Sequence, residues 1–328
     1  MSVRFLLLFC ALAFVAGPMR VAGQTKAGAN KSWTVPRAPD GHPDLQGNWV
    51  NRSATPLERP KELAGRASLT DAEVAELRRR ADRIFRQTRA DAPAGDDVFL
   101  AALANVEHYK RPAATGTSEN LAEREFDNRT SLIIDPPDGR MPAYTAEGQQ
   151  RLAKVVAATN MQIVPRGPED LTNFQRCVTW DVPMPRPGPY TSYYQIVQTP
   201  HYVMVLLEAI HDARIIPLDR REHLPSNVRT WNGDSIGHWE GDTLVVDTAN
   251  FSPKSYFMGA AENLHLLERF TRVAVDEIRY EMTVDDPTTW TKAWTAALRL
   301  KQTQDKIYEF ACHEGNYEIM ETMLSPVR

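Results

Sequence analysis

The chain has 328 residues, a formal net charge of −4 and 24% charged residues. A chain of this length can bury a large hydrophobic core, in one large domain or in two. Its only basic run, residues 78–80, lies on a predicted helix among acidic residues, so the charge pattern argues against a nucleic-acid partner, which needs clustered Lys and Arg.

The N-terminus has the pattern of a secretory signal peptide. Arg4 precedes an apolar run over residues 5–16, which is too short to span a bilayer but fits a signal peptide. Small residues at 21–23 predict cleavage there, so residues 1–23 are assigned to the signal peptide. No later segment approaches the roughly 20 apolar residues that a spanning helix needs. We therefore expect a periplasmic or secreted protein without a membrane span after signal removal.

Two cysteines, Cys177 and Cys312, remain after the signal peptide. In an oxidising compartment two thiols most simply form one disulfide. Closing so long a loop is worth roughly 4–5 kcal/mol in the chain-entropy model. A metal site that uses Cys312 and His313 is the alternative, but two distant cysteines without a C-x-x-C motif favour the disulfide.

Residues 24–66 are rich in Pro, Gly and polar side chains, and they contain Trp33 and Trp49. Two indoles are costly to leave in water. The segment is therefore predicted to be an extended arm that lies over the main body.

Residues 67–189 are predicted to be a helical and loop extension packed on a β-barrel. A capping box at residues 70–73 precedes apolar residues at helical spacing. The predicted elements are helices over residues 71–88, 96–109 and 145–160 and a short strand over residues 130–135.

The periodicity changes from helical spacing to alternation near Tyr190. Short strands with close turn signals and no helix between them favour a barrel or a sandwich over parallel βαβ units. The predicted fold class is mainly β: an antiparallel meander over residues 190–328 that closes into a lipocalin-like barrel, with the N-terminal helical and loop extension outside it. The predicted strands span residues 193–198, 202–209, 214–217, 235–239, 243–250, 265–275, 278–284, 291–298 and 306–312.

Five blocks of this half resemble a family of exported bacterial proteins of uncharacterised function. The blocks are QIVQTP from Gln195, RIIPLD from Arg214, WEGDTLVV from Trp239, ERFTR from Glu268 and ACHEGNY from Ala311. The resemblance covers most of residues 130–328 and implies no activity. One departure is His238, at a position where members of the family often carry Arg.

A charged pair on one predicted strand is the first candidate site. Small barrels that side chains do not fill hold one apolar ligand at an open mouth. Alternation places Glu268 and Arg272 on the same face as Leu266 and Phe270. Such a pair suits a polar-anchored ligand cavity, and an ion pair that caps the barrel or lies on its surface is the alternative.

His211 ends an apolar strand, and Asp212 and Arg214 follow it closely. A histidine on a core-facing strand end beside a carboxylate could be an oriented general base. A turn histidine that bonds a backbone carbonyl is the alternative. In the catalytic interpretation His211 is the base, Glu268 the second acid or base, and Arg272 the anchor for an oxyanion or carboxylate.

Aromatic and polar residues on other strands could line the cavity for a flat ligand, although strand aromatics usually belong to the core. The predicted ligand-binding residues are Tyr194, Trp239, His265, Tyr280 and Trp294.

The histidines of the β half do not predict a metal site. None of the pairs among His211, His238, His265 and His313 has the i, i+2 spacing that places two ligands on one strand face. Phosphate-loop, nucleophile-elbow and haem-attachment motifs are also missing from the sequence, so we predict no cofactor and no metal.

The sequence therefore predicts an exported barrel protein that binds a small hydrophobic or aromatic molecule. Cofactor-independent acid/base chemistry on that molecule would make the protein an isomerase, a lyase or a hydrolase. A non-catalytic carrier with the same cavity and a structural or interaction module with a filled barrel are the alternatives. The sequence leaves the oligomeric state open.

Overall fold

The computed structural model describes residues 33–86, 97–107, 124–159, 165–180, 192–219 and 222–325. The predicted signal peptide lies outside these ranges. The chain divides into two units, Met1–Thr34 and Val35–Arg328, and the strands and helices described below belong to the second. A search of these ranges for a helix with the length and apolar character to cross a membrane found none.

The strands in the described part of the chain form one ten-stranded antiparallel sheet, which confirms the predicted mainly β meander. The sheet order is β5-β4-β3-β1-β10-β9-β8-β7-β6, and β2 pairs with β10 beside β1. The strands are β1 (Gly47–Val50), β2 (Ile133–Asp135), β3 (Tyr193–Gln198), β4 (Tyr202–Leu207), β5 (Ala213–Pro217), β6 (Asp234–Glu240), β7 (Thr243–Ala249), β8 (His265–Ala274), β9 (Glu277–Asp285) and β10 (Trp294–Thr303).

The sheet forms a nearly closed barrel, in which its two end strands, β5 and β6, lie side by side. Gly237 of β6 permits this approach. A Cβ atom there would lie 2.8 Å from Cγ2 of Ile216 and 2.9 Å from Cδ2 of Leu218. Side-chain packing therefore closes the barrel between β5 and β6, whereas hydrogen bonds join the other neighbouring strands.

The arm predicted over residues 24–66 supplies a strand of the barrel itself. β1 pairs with β3 on one side and with β10 on the other. Four residues are too few to show a strand periodicity, so the sequence predicted only an extended arm here. The barrel consequently begins well before residue 190.

Large side chains from alternating strand positions fill the barrel interior. Inward positions of each strand are buried and outward positions are more exposed, as the burial patterns of β3, β4, β8 and β9 show. The largest fully buried side chains on the strands are Trp49, Trp294, Tyr194, Tyr280 and Phe270. Fully burying an aromatic side chain of this kind contributes about 1.5–3 kcal/mol, so these residues dominate the stability of the core.

The three predicted helices are present as α1 (Asp71–Arg86), α2 (Asp97–Ala104) and α3 (Ala146–Thr159). α1 begins at the predicted capping box: the backbone N–H of Thr70 donates to Oε2 of Glu73 at 2.8 Å, and the N–H of Glu73 donates to Oγ1 of Thr70 at 3.3 Å. α1 and α2 share a small core of their own, separate from the barrel core. A fourth helix, α4 (Asn316–Leu324), was not predicted.

The strand predicted over residues 306–312 is wrong. Residues 304–312 form no strand, and β10 extends further than expected, to Thr303. The two edges of β10 are already occupied, one by β9 and the other by β1 and β2. The chain after β10 therefore finds no free edge of β10 to pair with, and residues 306–309 lie beside Asn48, Gln195 and Leu206 on the outer face of the barrel.

The predicted disulfide between Cys177 and Cys312 is present, with a Cα–Cα distance of 5.7 Å. It joins the segment after β10 to the loop region over residues 165–180. The bond therefore fixes the C-terminal end of residues 304–312, at Cys312, to that loop region.

Candidate functional site

A buried ion pair lies in the barrel interior. Arg214 of β5 donates from Nη1 to Oε2 of Glu268 at 2.7 Å and from Nη2 to Oε1 at 3.0 Å. Glu268 of β8 is 0% exposed and Arg214 is 8% exposed. Burial acts to lower the pKa of the Arg214 guanidinium, but the adjacent Glu268 carboxylate outweighs it and raises that pKa above its ordinary value. The two side chains thus form a charged pair shielded from water.

Two tyrosines complete this interior polar cluster. The hydroxyl of Tyr280 donates to Oε1 of Glu268 at 2.9 Å. Burial raises the pKa of Tyr280 and of Tyr194 well above the ordinary value. The charge of Glu268 adds to this effect at Tyr280, whereas at Tyr194 the charge of Arg214 opposes it without reversing it. Both phenols therefore stay protonated. The hydroxyl of Tyr194 has no hydrogen-bond partner among the described residues.

Arg272 is also buried, at 8% exposure, but it does not join Glu268. Its Nη1 donates to the carbonyl oxygen of Asp44, and its Nη2 donates to the carbonyl oxygen of Val275. Its guanidinium carbon lies 5.5 Å from the ring centroid of Trp49, a cation–π contact. The low exposure of Glu268 and Arg272 excludes a surface ion pair, and the structure gives each side chain a different set of partners.

A groove of about 670 Å³ lies on the outer face of the barrel. Outward-facing side chains of three neighbouring strands form its floor, namely Asn48 of β1, Gln195 of β3 and Leu206 of β4. Residues 306–309, which follow β10, form the opposite wall, and His211 also lines the groove. His211 therefore faces an outer groove, whereas Glu268 lies in the interior.

The turn that carries His211 has a strained backbone. Ile210 and His211 have φ angles of 59° and 54°, in the left-handed region. A β-branched residue in that region is an outlier, and each such residue costs about 1–2 kcal/mol. Strain of this kind persists where the surroundings determine the conformation, and it concentrates at functional sites.

Contacts with the segment after β10 hold this turn. Oε1 of Glu208 accepts the backbone N–H of Tyr308 at 2.9 Å, and Nε2 of His211 accepts the backbone N–H of Phe310 at 2.9 Å. Because Nε2 is an acceptor, the neutral imidazole of His211 carries its proton on Nδ1. Nδ1 has no acceptor in the described part of the chain, so His211 can offer this donor to a ligand.

The carboxylate of Asp212 bonds other residues and not the imidazole of His211, which the sequence had suggested as an oriented general base. Its Oδ2 accepts the hydroxyl of Thr179 at 2.7 Å and the backbone N–H of Trp180 at 2.9 Å. Its Oδ1 accepts Nδ2 of Asn232 at 3.2 Å. Asp212 therefore anchors the turn to two other loops.

The other predicted ligand-binding residues do not converge. Tyr194, Tyr280 and Trp294 belong to the buried core. Trp239 is partly buried and stacks on His42, with ring centroids 4.8 Å apart. His265 lies on the outer face of β8, where its Nε2 is 2.8 Å from Oδ1 of Asp247. The structure brings Tyr194 and Tyr280 to Glu268, and it leaves Trp239, His265 and Trp294 in three other places.

Sequence reasoning missed several residues that the structure brings together. Gln195 and Lys306 line the groove. His223 lies between Asp234 and Asp247, which are 11 and 24 positions further along the chain. A lone histidine in a loop with no short-range ligand partner carries no sequence signal, so only the fold could reveal these contacts.

Comparisons with protein-family models, with curated proteins and with solved structures found no match to this chain. A search of the described residues for groups of His, Cys, Asp and Glu that could hold a metal ion found none. The fold and the groove together define a nearly closed antiparallel β-barrel protein with a groove on its outer face that both polar and apolar side chains line.

Proposed function

We propose that this is an exported barrel protein that binds a small hydrophobic or aromatic molecule in the outer groove beside His211. The observation that carries the proposal is the groove itself. It combines the apolar side chains of Leu206 and Ile307 and the side chain of Tyr308 with five polar or charged side chains, those of Asn48, Gln195, His211, Lys306 and Glu309. In small-molecule sites apolar surface supplies affinity and polar groups set orientation.

Two neutral polar side chains of the groove, those of Gln195 and His211, are available to contact a ligand. Nε2 of Gln195 donates to Oδ1 of Asn48 at 3.3 Å, and Nδ2 of Asn48 donates to the carbonyl oxygen of Asp305 at 3.0 Å. These bonds orient both amides and leave Oε1 of Gln195 as an acceptor. This acceptor, the Nδ1 donor of His211 and the charged side chains of Lys306 and Glu309 are the polar groups that the groove offers to a ligand with an apolar body.

Binding is favoured over acid/base catalysis because of the hydrogen bond at His211. Its Nε2 accepts the N–H of Phe310, so that lone pair is not available to remove a proton from a ligand. A catalytic role for His211 requires the segment around Phe310 to move away. The non-catalytic carrier is therefore the better form of the proposal, and the acid/base enzyme is the second candidate.

A catalytic role for Glu268 and Arg272 remains a prediction that would need a ligand inside the barrel. Glu268 is satisfied by Arg214 and Tyr280, and Arg272 donates to backbone carbonyls. The paired charge of Glu268 supports a structural role in the barrel interior, and Nε of Arg272 has no hydrogen-bond partner among the described residues.

Export is part of the proposal and rests on the signal pattern of residues 1–23 and the disulfide. Membership of the family of exported bacterial proteins rests on the five sequence blocks. N-terminal sequencing of the protein from a periplasmic fraction or culture medium tests export. A mature chain that begins near residue 24 is expected, and an intact N-terminus in the cytoplasm would contradict export.

The groove is tested with the fluorescent probe 1-anilinonaphthalene-8-sulfonate and with mass spectrometry of molecules that co-purify with the protein. Leu206→Trp fills the floor of the groove, and Val197→Trp places the same side chain on an exposed position of β3 outside it. We expect L206W to weaken binding of the probe and of any co-purified molecule at least about tenfold, with V197W close to the wild type. Equal binding by L206W and V197W would refute the proposal. Absence of binding by the wild type would also refute it.

A further inference from the structure

His223 is held between two carboxylates on the outer face of the barrel. Its Nδ1 lies 3.0 Å from Oδ2 of Asp234 in β6, and its Nε2 lies 2.9 Å from Oδ1 of Asp247 in β7. Asp234 is buried and His223 is partly buried, so water only partly screens these contacts. This arrangement uses both nitrogens of one imidazole.

Both hydrogen bonds can exist together only when the ring is protonated. An imidazolium has two N–H donors, whereas a neutral imidazole has one donor and one lone pair. In the neutral ring, one lone pair would face a carboxylate oxygen at about 3 Å, and that contact is repulsive. The geometry is therefore that of a charged His223.

The surroundings of His223 favour a positive charge. Asp234 and Asp247 face it from β6 and β7, and His265 of β8 also contacts Oδ1 of Asp247 at 2.8 Å. The hydrogen bond to Asp247, followed by the charges of Asp247 and Asp285, raises the pKa of His265 against the opposing effect of burial. The group thus contains three carboxylates, those of Asp234, Asp247 and Asp285, and two imidazoles, those of His223 and His265.

His223 lies at the start of a segment, residues 222–233, that leads into β6. The backbone N–H of Leu224 donates to the same Oδ2 of Asp234 at 2.9 Å. Nδ2 of Asn250 donates to the carbonyl oxygen of Leu224 at 2.8 Å. Hydrogen bonds therefore hold the start of the segment against the barrel next to the His223 side chain.

We propose that His223 is a proton-dependent latch, which holds residues 222–233 on the outer face of β6 and β7 when it is protonated and releases the start of that segment when it loses its proton. The same segment also contacts the turn beside the groove. Asn232, at the other end of the segment, donates to Asp212, the neighbour of His211. The latch does not depend on ligand binding in the groove, and its test measures the segment alone.

Hydrogen–deuterium exchange of the peptide covering residues 222–233 tests the latch at about pH 5 and about pH 9, after correction for the intrinsic exchange rate. In the wild type, protection around Leu224 should fall at least about tenfold between the lower and the higher pH. His223→Gln, which is neutral at both pH values, should show low protection at both. His265→Gln is the matched control: it removes the other histidine on Asp247 and should keep the pH dependence.

Equal protection of the wild type at both pH values, or a pH dependence that survives in H223Q, would overturn the latch. A measurement on the unaltered protein covers the case in which H223Q does not fold. The ring nitrogen chemical shifts of His223 should report two protonated nitrogens at about pH 6. A neutral ring at that pH would also overturn it.

Discussion

Arg214 and Glu268 hold each other across the barrel interior by two hydrogen bonds, of 2.7 Å and 3.0 Å, although they are 54 positions apart in the chain. Among the described residues, the hydrogen bonds of Arg214 go to Glu268, and the other side-chain contact of Glu268 is the neutral hydroxyl of Tyr280. Each charge of the pair therefore depends on the other to offset its desolvation.

Removal of one partner should be far more costly than removal of both. Glu268→Gln leaves the Arg214 guanidinium buried without a countercharge, and we expect the free energy of unfolding in urea to fall by about 3–5 kcal/mol. The double variant Arg214→Met/Glu268→Leu should lose less than E268Q, because two apolar side chains suit the interior. Tyr280→Phe removes one hydrogen bond to a charged group and should cost about 1.5–3 kcal/mol. A loss below about 1 kcal/mol in E268Q would show that the pair is not buried in solution.

Relief of the strain at Ile210 should offset the loss of its side chain. Glycine adopts a left-handed φ without penalty, so Ile210→Gly should leave the free energy of unfolding unchanged or raise it by up to about 1 kcal/mol. Ile215→Gly is the control, because Ile215 is an exposed residue in the interior of β5. It should destabilise the protein by about 1 kcal/mol. Equal destabilisation by I210G and I215G would show that the left-handed conformation of Ile210 carries no energetic cost.

Loss of the disulfide should destabilise the whole protein and free the wall of the groove. Cys177 and Cys312 are 135 positions apart, and in the chain-entropy model a loop of that size contributes about 4–5 kcal/mol. The variant Cys177→Ser/Cys312→Ser should therefore unfold at lower urea concentration and show faster hydrogen exchange at residues 306–310. Thiol titration of the denatured, unreduced wild type should find no free thiol. Two free thiols would show that the bond does not form.

The capping box at the start of α1 should titrate at low pH. The backbone N–H of Thr70 is the main cause that lowers the pKa of Glu73 from 4.5 to about 2, followed by the Arg66 guanidinium and the Thr70 hydroxyl. Because the folded-state pKa is depressed, the stabilisation is complete above pH 4.5 and is lost as the pH falls towards 2. Nuclear magnetic resonance titration of Glu73 measures it directly.

Variants of Thr70 separate the parts of this effect. Thr70→Ala removes the hydroxyl but keeps the backbone N–H and Arg66, so the pKa of Glu73 should rise only part of the way towards 4.5. Thr70→Ser keeps the hydroxyl and should stay near the wild type. An unshifted Glu73 in the wild type would mean that the capping box does not form in solution.

The sequence by itself determined the elements whose pattern is local. Alternation over six to ten residues located β3, β4, β8 and β9 to within about two residues, because one buried face imposes a period of two. The capping box located the start of α1 in the same way. The disulfide followed from the count of cysteines after the signal peptide. None of these inferences needs to know which parts of the chain meet in space.

Only the tertiary structure decided which residues meet. The partner of Glu268 is Arg214, on a strand that reaches it across the interior, and the pattern along β8 pointed to Arg272 instead. β1 enters the sheet between β3 and β10, so the chain after β10 finds no free edge of β10 and lies over the outer face, where it forms the groove beside His211. These outcomes depend on edges and inward faces supplied by distant segments, and a periodicity within one segment carries no information about its neighbours.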